Sequence, residues 1–195
     1  MDSIDYYERY AIPYYEQTID LDMSEEMQPF LDALPEGAEE ILDLGCGSGR
    51  DSKTLDELGF YVTPMDGSGK MCELAEIYTD QEVLRLRFEE MDFDEVFDGI
   101  WASLALIHVP SEEIHTIMDK VLAALKPGGI LYFSVYEGDR DGVYAGCYYR
   151  DYTELELRRL MKGFEGVRIL SIRRSEGQGW NGNDWKILNV LAEKM

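Results

Sequence analysis

The chain has 195 residues, with 18 Lys and Arg against 40 Asp and Glu, a net charge of −22 and 45% hydrophobic residues. That length suits a single domain with a core of its own, expected to span 1–195. The charge repels phosphate backbones, and basic pieces such as "RRL" at 158–160 and "RR" at 173–174 are too small to reverse it. No nucleic-acid partner is therefore expected. No apolar run reaches the ~18 residues of a membrane span, and "MDSIDYYERYAIPYYEQ" has neither the basic nor the apolar region of a secretory signal. The expectation is a cytoplasmic protein with no membrane partner, monomeric or a homodimer. Cys46, Cys72 and Cys147 are odd in number and lack metal-ligand spacing, so buried or free thiols and no metal are expected.

Residues 1–38 precede the first apolar strand and are expected to form helices over one edge of the fold. "EEILDLG" reads as a buried strand ending at glycine, and "DSKTLDELG" as a short helix closed by Gly59. "FYVTPMD" is a second strand and "SGKMCELAEIY" a second helix. "EVLRLRF" and "FDGIWASLAL" follow as strands, with Trp101 a core residue. "PSEEIHTIMDKVLAALKPGG" is a helix capped by Ser111 and stopped at Pro127–Gly129, and His115 lies on its surface. "ILYFSVYEG" is a fifth strand, and "TELELRRLMKG" a helix capped by Thr153. "VRILSIRRS" and "WKILNVLAEK" form a final antiparallel hairpin joined by "SEGQGWNGND". The alternation predicts an α/β, Rossmann-like, doubly wound, mostly parallel seven-stranded sheet, with residues 39–195 as its core.

In such a sheet, ligands bind beyond the carboxyl end of the first strand. "LDLGCGSGRDS" lies there. Its run is G-x-G-x-G, and Arg50 stands where a dinucleotide fingerprint has its third glycine. Asp43 disfavours a pyrophosphate and suits an ammonium. Asp66, 21 residues after Gly45 (66 − 45), is spaced to accept hydrogen bonds from ribose hydroxyls. A ribose on one side, a cationic amine on the other and no phosphate between them describe S-adenosylmethionine. Arg50 and the backbone N–H groups at the next helix start could meet its carboxylate.

"ILDLGCGSGRDS", "VTPMDGSGKMCELA", "FDGIWASLALIHVP" and "LKPGGILYFSVYEG" stand in the order and spacing of class I S-adenosylmethionine-dependent methyltransferases. The chain resembles that family over essentially its whole length, and more weakly its small bacterial members similar to tellurite and thiopurine methyltransferases. The resemblance implies a cofactor site built from Asp43, Gly45, Cys46, Gly47, Arg50, Asp66, Gly67, Met71, Ala102, Ser103 and Leu104. The family's Asp after the third strand falls on Arg87, so adenine is assigned to Phe88 and Glu89, with Asp92 as the alternative. An arginine expected beside the aromatic pair of "GCYYRDYT" is replaced by Cys147, with Arg150 three residues on.

The implied activity is in-line, metal-independent methyl transfer to a nitrogen, sulfur or oxygen atom of a small molecule or peptide, leaving S-adenosylhomocysteine. His108 could act as a base or simply pack at its loop. Tyrosines crowd the N-terminal segment and the stretch 144–152, and either could form a lid or pack as core. Tyr14 or Tyr15 is expected nearest the sulfonium, facing it by cation–π contact. Two other readings stay open: a non-catalytic S-adenosylmethionine-binding protein, and a nucleotide-dependent oxidoreductase, which Asp43 and the missing third glycine oppose.

Overall fold

A computed structural model describes residues 3–178 and 184–195. Strands β1 (Glu40–Leu44), β2 (Tyr61–Asp66), β3 (Leu84–Arg85), β4 (Phe97–Ala102) and β5 (Leu125–Tyr136) run parallel. β8 (Val167–Gln178) and β9 (Asp184–Lys194) complete the sheet in the order β3-β2-β1-β4-β5-β9-β8, with β9 antiparallel to both neighbours. The expected seven-stranded, Rossmann-like sheet is therefore present. Six helices are described: α1 (Ser3–Thr18), α2 (Ser24–Ala33), α3 (Arg50–Glu57), α4 (Gly69–Thr79), α5 (Ile114–Ala124) and α6 (Glu154–Lys162).

Side chains alternate across the strands and build two cores. Leu42, Leu44, Ile100 and Ala102 face α5 and α6 on one side of the sheet. Ile41, Trp101 and Tyr132 face Phe30 of α2 and Leu55 of α3 on the other. Trp101 is fully buried, stacked on Tyr132 of the neighbouring strand with ring centroids 3.8 Å apart. Burial of both faces explains why these strands read as continuous apolar runs.

Four expected boundaries shift. "EVLRLRF" pairs only at Leu84–Arg85, because the Glu90 carboxylate accepts the Arg87 N–H (2.9 Å) and turns the chain into a one-turn helix at Phe88–Glu90. Ser111 does not cap α5: its hydroxyl donates to Asp141 (2.7 Å), and the helix begins at Ile114. That helix ends at Ala124, and "LKPGG" already belongs to β5. β8 and β9 also extend into "SEGQGWNGND", whose residues 179–183 lie outside the described residues.

A further hairpin was not expected. β6 (Asp141–Tyr144) and β7 (Cys147–Arg150) pair antiparallel around Ala145 and Gly146, both with positive φ (51° and 90°). Two successive left-handed residues make a turn that matches strand twist. α1 is kinked at Tyr10, three residues before Pro13. The proline lacks an N–H and its ring crowds the carbonyl four residues back.

α6 begins with a reciprocal cap: Thr153 Oγ1 accepts the Glu156 N–H, and the Glu156 carboxylate accepts the Thr153 N–H (2.7 Å). Thr153→Ala should lower stability by about 1 kcal/mol. Urea unfolding should show this as a lower midpoint at unchanged slope, and an unchanged midpoint would mean that the cap contributes nothing.

Candidate functional site

The loop leaving β1 turns at Gly45 (φ +72°), where a Cβ would lie 2.6 Å from Ala105 Cβ. Only glycine lets the backbone pass there. The Gly45 and Cys46 N–H groups donate to the Met65 carbonyl (2.8 and 2.9 Å). Asp66, at the end of β2, accepts the Gly47 N–H on one oxygen (3.0 Å) and the Ser68 N–H on the other (2.8 Å). Burial raises its pKa to about 6 against those two hydrogen bonds.

A cavity of about 400 Å³ opens over this loop. Gly45, Gly47, Asp66, Gly67 and Met71 form one wall. Phe88, Glu89, Ser103 and Leu104 also line it. Leu104 has positive φ (+52°), and its N–H donates to the buried Ser134 hydroxyl (2.9 Å). Strain at a non-glycine residue is commonly found where a site needs it.

A smaller cleft adjoins it, lined by Asp43, Cys46, Arg50 and Asp51, with Tyr14, Gly45 and Ser103 shared between the two. Asp43 is 2% exposed and accepts a hydrogen bond from Ser52 (2.5 Å). Burial, then the negative charge of Asp51, pushes its pKa up to about 7. Arg50 is bound by both oxygens of Asp51 (2.7 and 2.9 Å), which also accepts Trp101 Nε1–H (2.8 Å). The guanidinium is thus held in the cleft wall, and its Nη1 reaches the Thr18 carbonyl (3.4 Å).

α1 lies across the loop. The Tyr14 ring sits where a Gly47 Cβ would meet it at 3.4 Å, and Ile4 abuts Gly67. Glu8 accepts the Ser68 hydroxyl (3.2 Å). His108, which also lines the cavity, lies in a one-turn helix at Leu106–His108, with Tyr7 Oη 3.0 Å from Nε2 and the Tyr148 carbonyl 2.8 Å from Nδ1.

Most of the expected residues therefore converge on the cavity and its cleft. Two do not. Tyr15 packs edge-on against Tyr78 of α4 (6.3 Å), because the helix turns it away from the cavity face that carries Tyr7 and Tyr14. Ala102 is fully buried in the sheet core, since strand alternation points it toward α5 and α6. Asp92 is exposed and outside the cavity. Arg150 pairs with Glu156 (3.0 Å) and Asp141 (3.7 Å). Sequence reasoning missed Asp51, Ser134 and Tyr7 in these roles. Asp51 was within reach, since an aspartate after Arg50 in a buried helix start needs a partner. Among the described residues no group of three His, Cys, Asp or Glu is placed to hold a metal, and no helix is long and apolar enough to cross a membrane.

Residues 42–133 match the family model described as a methyltransferase domain. The Bacillus subtilis protein named "Putative methyltransferase YqeM" is 32% identical over 172 residues, covering 83% of this chain and 68% of that protein. The ubiquinone biosynthesis O-methyltransferase of Coxiella burnetii is 32% identical over 100 residues, or 48% of this chain; the match spans only 42% of that relative's length. The 1,6-didemethyltoxoflavin-N1-methyltransferase of Burkholderia thailandensis, solved with 1,6-didemethyltoxoflavin and S-adenosylhomocysteine bound, superposes with a TM-score of 0.70 at 25% identity. It covers 96% of this chain and 87% of its own.

In the folded, unliganded protein Asp43 keeps its proton up to about pH 7, whereas an unfolded aspartate loses it near its ordinary value. The folded state binds more protons across that interval, so this group's contribution is present in acid and lost as pH rises. Asp43→Asn should therefore melt above wild type at about pH 8, with the gain fading toward pH 4. Melting curves over that range check the sign, and a gain independent of pH would contradict it.

Proposed function

The chain belongs to the class I S-adenosylmethionine-dependent methyltransferases, and from that membership we propose that it methylates a nitrogen, oxygen or sulfur atom of a small molecule or peptide, without a metal. Its cofactor is S-adenosylmethionine, whose sulfonium supplies an activated methyl carbon. The observation that carries the assignment is a pair of aspartates flanking the glycine loop, Asp43 buried and Asp66 half-buried. Asp66 has lone pairs left for ribose hydroxyls after accepting two backbone N–H groups. Asp43, whose proton is held by burial, gains an ion pair if an ammonium enters the cleft. An ammonium favours the ionised form of Asp43 whereas a phosphate opposes it, which argues against a dinucleotide and for a nucleoside joined to an amino acid.

Each part of the chain then has a task. The glycines at 45 and 47 admit the ligand where a Cβ would meet Ala105 or Tyr14. Phe88 and Glu89 suit adenine, by stacking and by hydrogen bonding respectively. Residues 1–38 act as a helical lid on a core of residues 39–195. Tyr14 offers its ring to the sulfonium, a contact worth up to about 2 kcal/mol when desolvated. Val109, Pro110 and Ile117 give the far end of the cavity an apolar wall for the acceptor's body. The named relatives methylate oxygen in one case and nitrogen in the other, in keeping with this range of acceptors. Positioning supplies most of the catalysis, for which near-attack placement can contribute about 7–11 kcal/mol.

Calorimetry tests the reading. The wild type should bind S-adenosylmethionine and S-adenosylhomocysteine but not NAD. Asp66→Ala should weaken both by roughly one to two decades, as expected for a lost charged hydrogen bond. Unchanged affinity in the variant would remove Asp66 from the site, and a wild type that binds only NAD would overturn the assignment.

A further inference from the structure

We propose that Tyr7, backed by His108, is the proton relay that receives the methyl acceptor, so that the attacking atom is one carrying a proton, a hydroxyl or an N–H. The inference rests on the methyltransferase reading and names the acceptor chemistry within it.

It starts from one carbonyl. The Tyr148 oxygen lies 2.8 Å from His108 Nδ1. A carbonyl only accepts, so the proton of the neutral ring sits on Nδ1. Nε2 is then a bare lone pair, 3.0 Å from Tyr7 Oη, and Tyr7 must donate to it. The Cys147 thiol, 3.5 Å from Nδ1, does not reverse this, because the carbonyl is closer. With its proton turned toward His108, Tyr7, which lines the cavity, has only oxygen lone pairs left to offer an acceptor. A hydroxyl or N–H can donate to those lone pairs, whereas an anionic nucleophile meets them as repulsion.

The surroundings keep the pair neutral before transfer. Around it stand Tyr14 of α1, Tyr136 of β5, Cys147 and Tyr149 of β7, and Arg140, which is paired bidentately with Asp151 (2.8 Å each). Glu113 lines the same cavity. Burial, with Arg140 adding to it, lowers the His108 pKa to about 4, and burial holds the Tyr7 hydroxyl well above its ordinary value. Neither group ionises alone near neutrality.

The step balances. The acceptor's lone pair forms a bond to the methyl carbon as the carbon–sulfur bond breaks and its electrons pass to sulfur. The acceptor's proton goes to Tyr7 Oη while the Tyr7 proton goes to Nε2. The positive charge leaves the sulfur and appears on the imidazole, so the cavity's net charge is unchanged. That removes the main penalty against protonating a half-buried histidine. The proton then leaves His108 to water as the products depart.

Two measurements test this. In the full chain carrying nitrogen-15 histidine and saturated with S-adenosylhomocysteine, His108 should show a protonated Nδ1 and a bare Nε2 from about pH 6 to 9, as its lowered pKa requires. Tyr7→Phe should move the Nε2 resonance by removing its donor. A proton on Nε2 in the wild type would overturn the relay. The second uses 2-naphthol, 2-naphthylamine and thiophenol as probe acceptors. With 2-naphthol the wild-type rate should be flat across that pH range. Tyr7→Phe and His108→Gln should each lower it by roughly 10²–10⁴-fold, with the residual rate rising about tenfold per pH unit because only the ionised naphthol reacts. Thiophenol, which ionises unaided, should lose less. A Tyr7→Phe rate equal to wild type, or transfer to thiophenol alone, would overturn the relay and leave methyl transfer standing. Cofactor binding with transfer to none of the three would overturn the function as well.

Discussion

The site depends on one half-buried carboxylate. Asp66 is fixed at the end of β2 by the sheet, and its two oxygens bind the N–H groups of Gly47 and Ser68. The loop after β1 and the start of α4 are thereby held against the same side chain. A buried charge is costly unless hydrogen-bonded, and each of these bonds is of the strong, charge-assisted type. The two loops that line the cavity are therefore tied to each other through Asp66. Asp66 also lines that cavity, and its unused lone pairs are the ones proposed to receive the ribose hydroxyls.

Around that anchor, the proposed site carries acids whose ionisation the fold disfavours. Asp43, buried, and Asp66, half-buried, are both acids with raised pKa values, and the Asp51–Arg50 pair beside them ties the loop to Trp101 in the core. Such a loop gains most when a ligand bearing hydroxyls and an ammonium arrives. The cover comes from elements far apart in sequence. α1 contributes Tyr14 and Tyr7, and the hairpin β6–β7 contributes Tyr148, whose carbonyl fixes the tautomer of His108.

Legibility in the sequence followed locality. The β1 loop was readable because glycines at 45, 47 and 49 and aspartates at 43 and 66 act within one strand–turn–helix unit. Thr153 was readable as a cap because its partner Glu156 is three residues away. Ser111 was misassigned because its partner, Asp141, is 30 residues away. The β6–β7 hairpin was missed because its turn is Ala145–Gly146, and alanine gives no signal of positive φ. The tyrosines of α1 could be counted but not phased. Tyr6, Tyr10 and Tyr14 suggested one face, yet Tyr10 lies at a kink, and the cavity receives Tyr7 and Tyr14, two full turns apart. Ala102 was placed at the cofactor by motif alone, and strand alternation turned it into the core.

The central claim is that one cofactor is gripped by the two loops and covered by α1. Amide hydrogen exchange with and without S-adenosylhomocysteine tests it most directly. The account predicts slower exchange at 43–49, 66–71, 86–89 and 103–105, together with 4–14 in α1, where Ile4, Tyr7 and Tyr14 line the cavity. Protection confined to the sheet loops, with α1 exchanging as it does without ligand, would contradict the account.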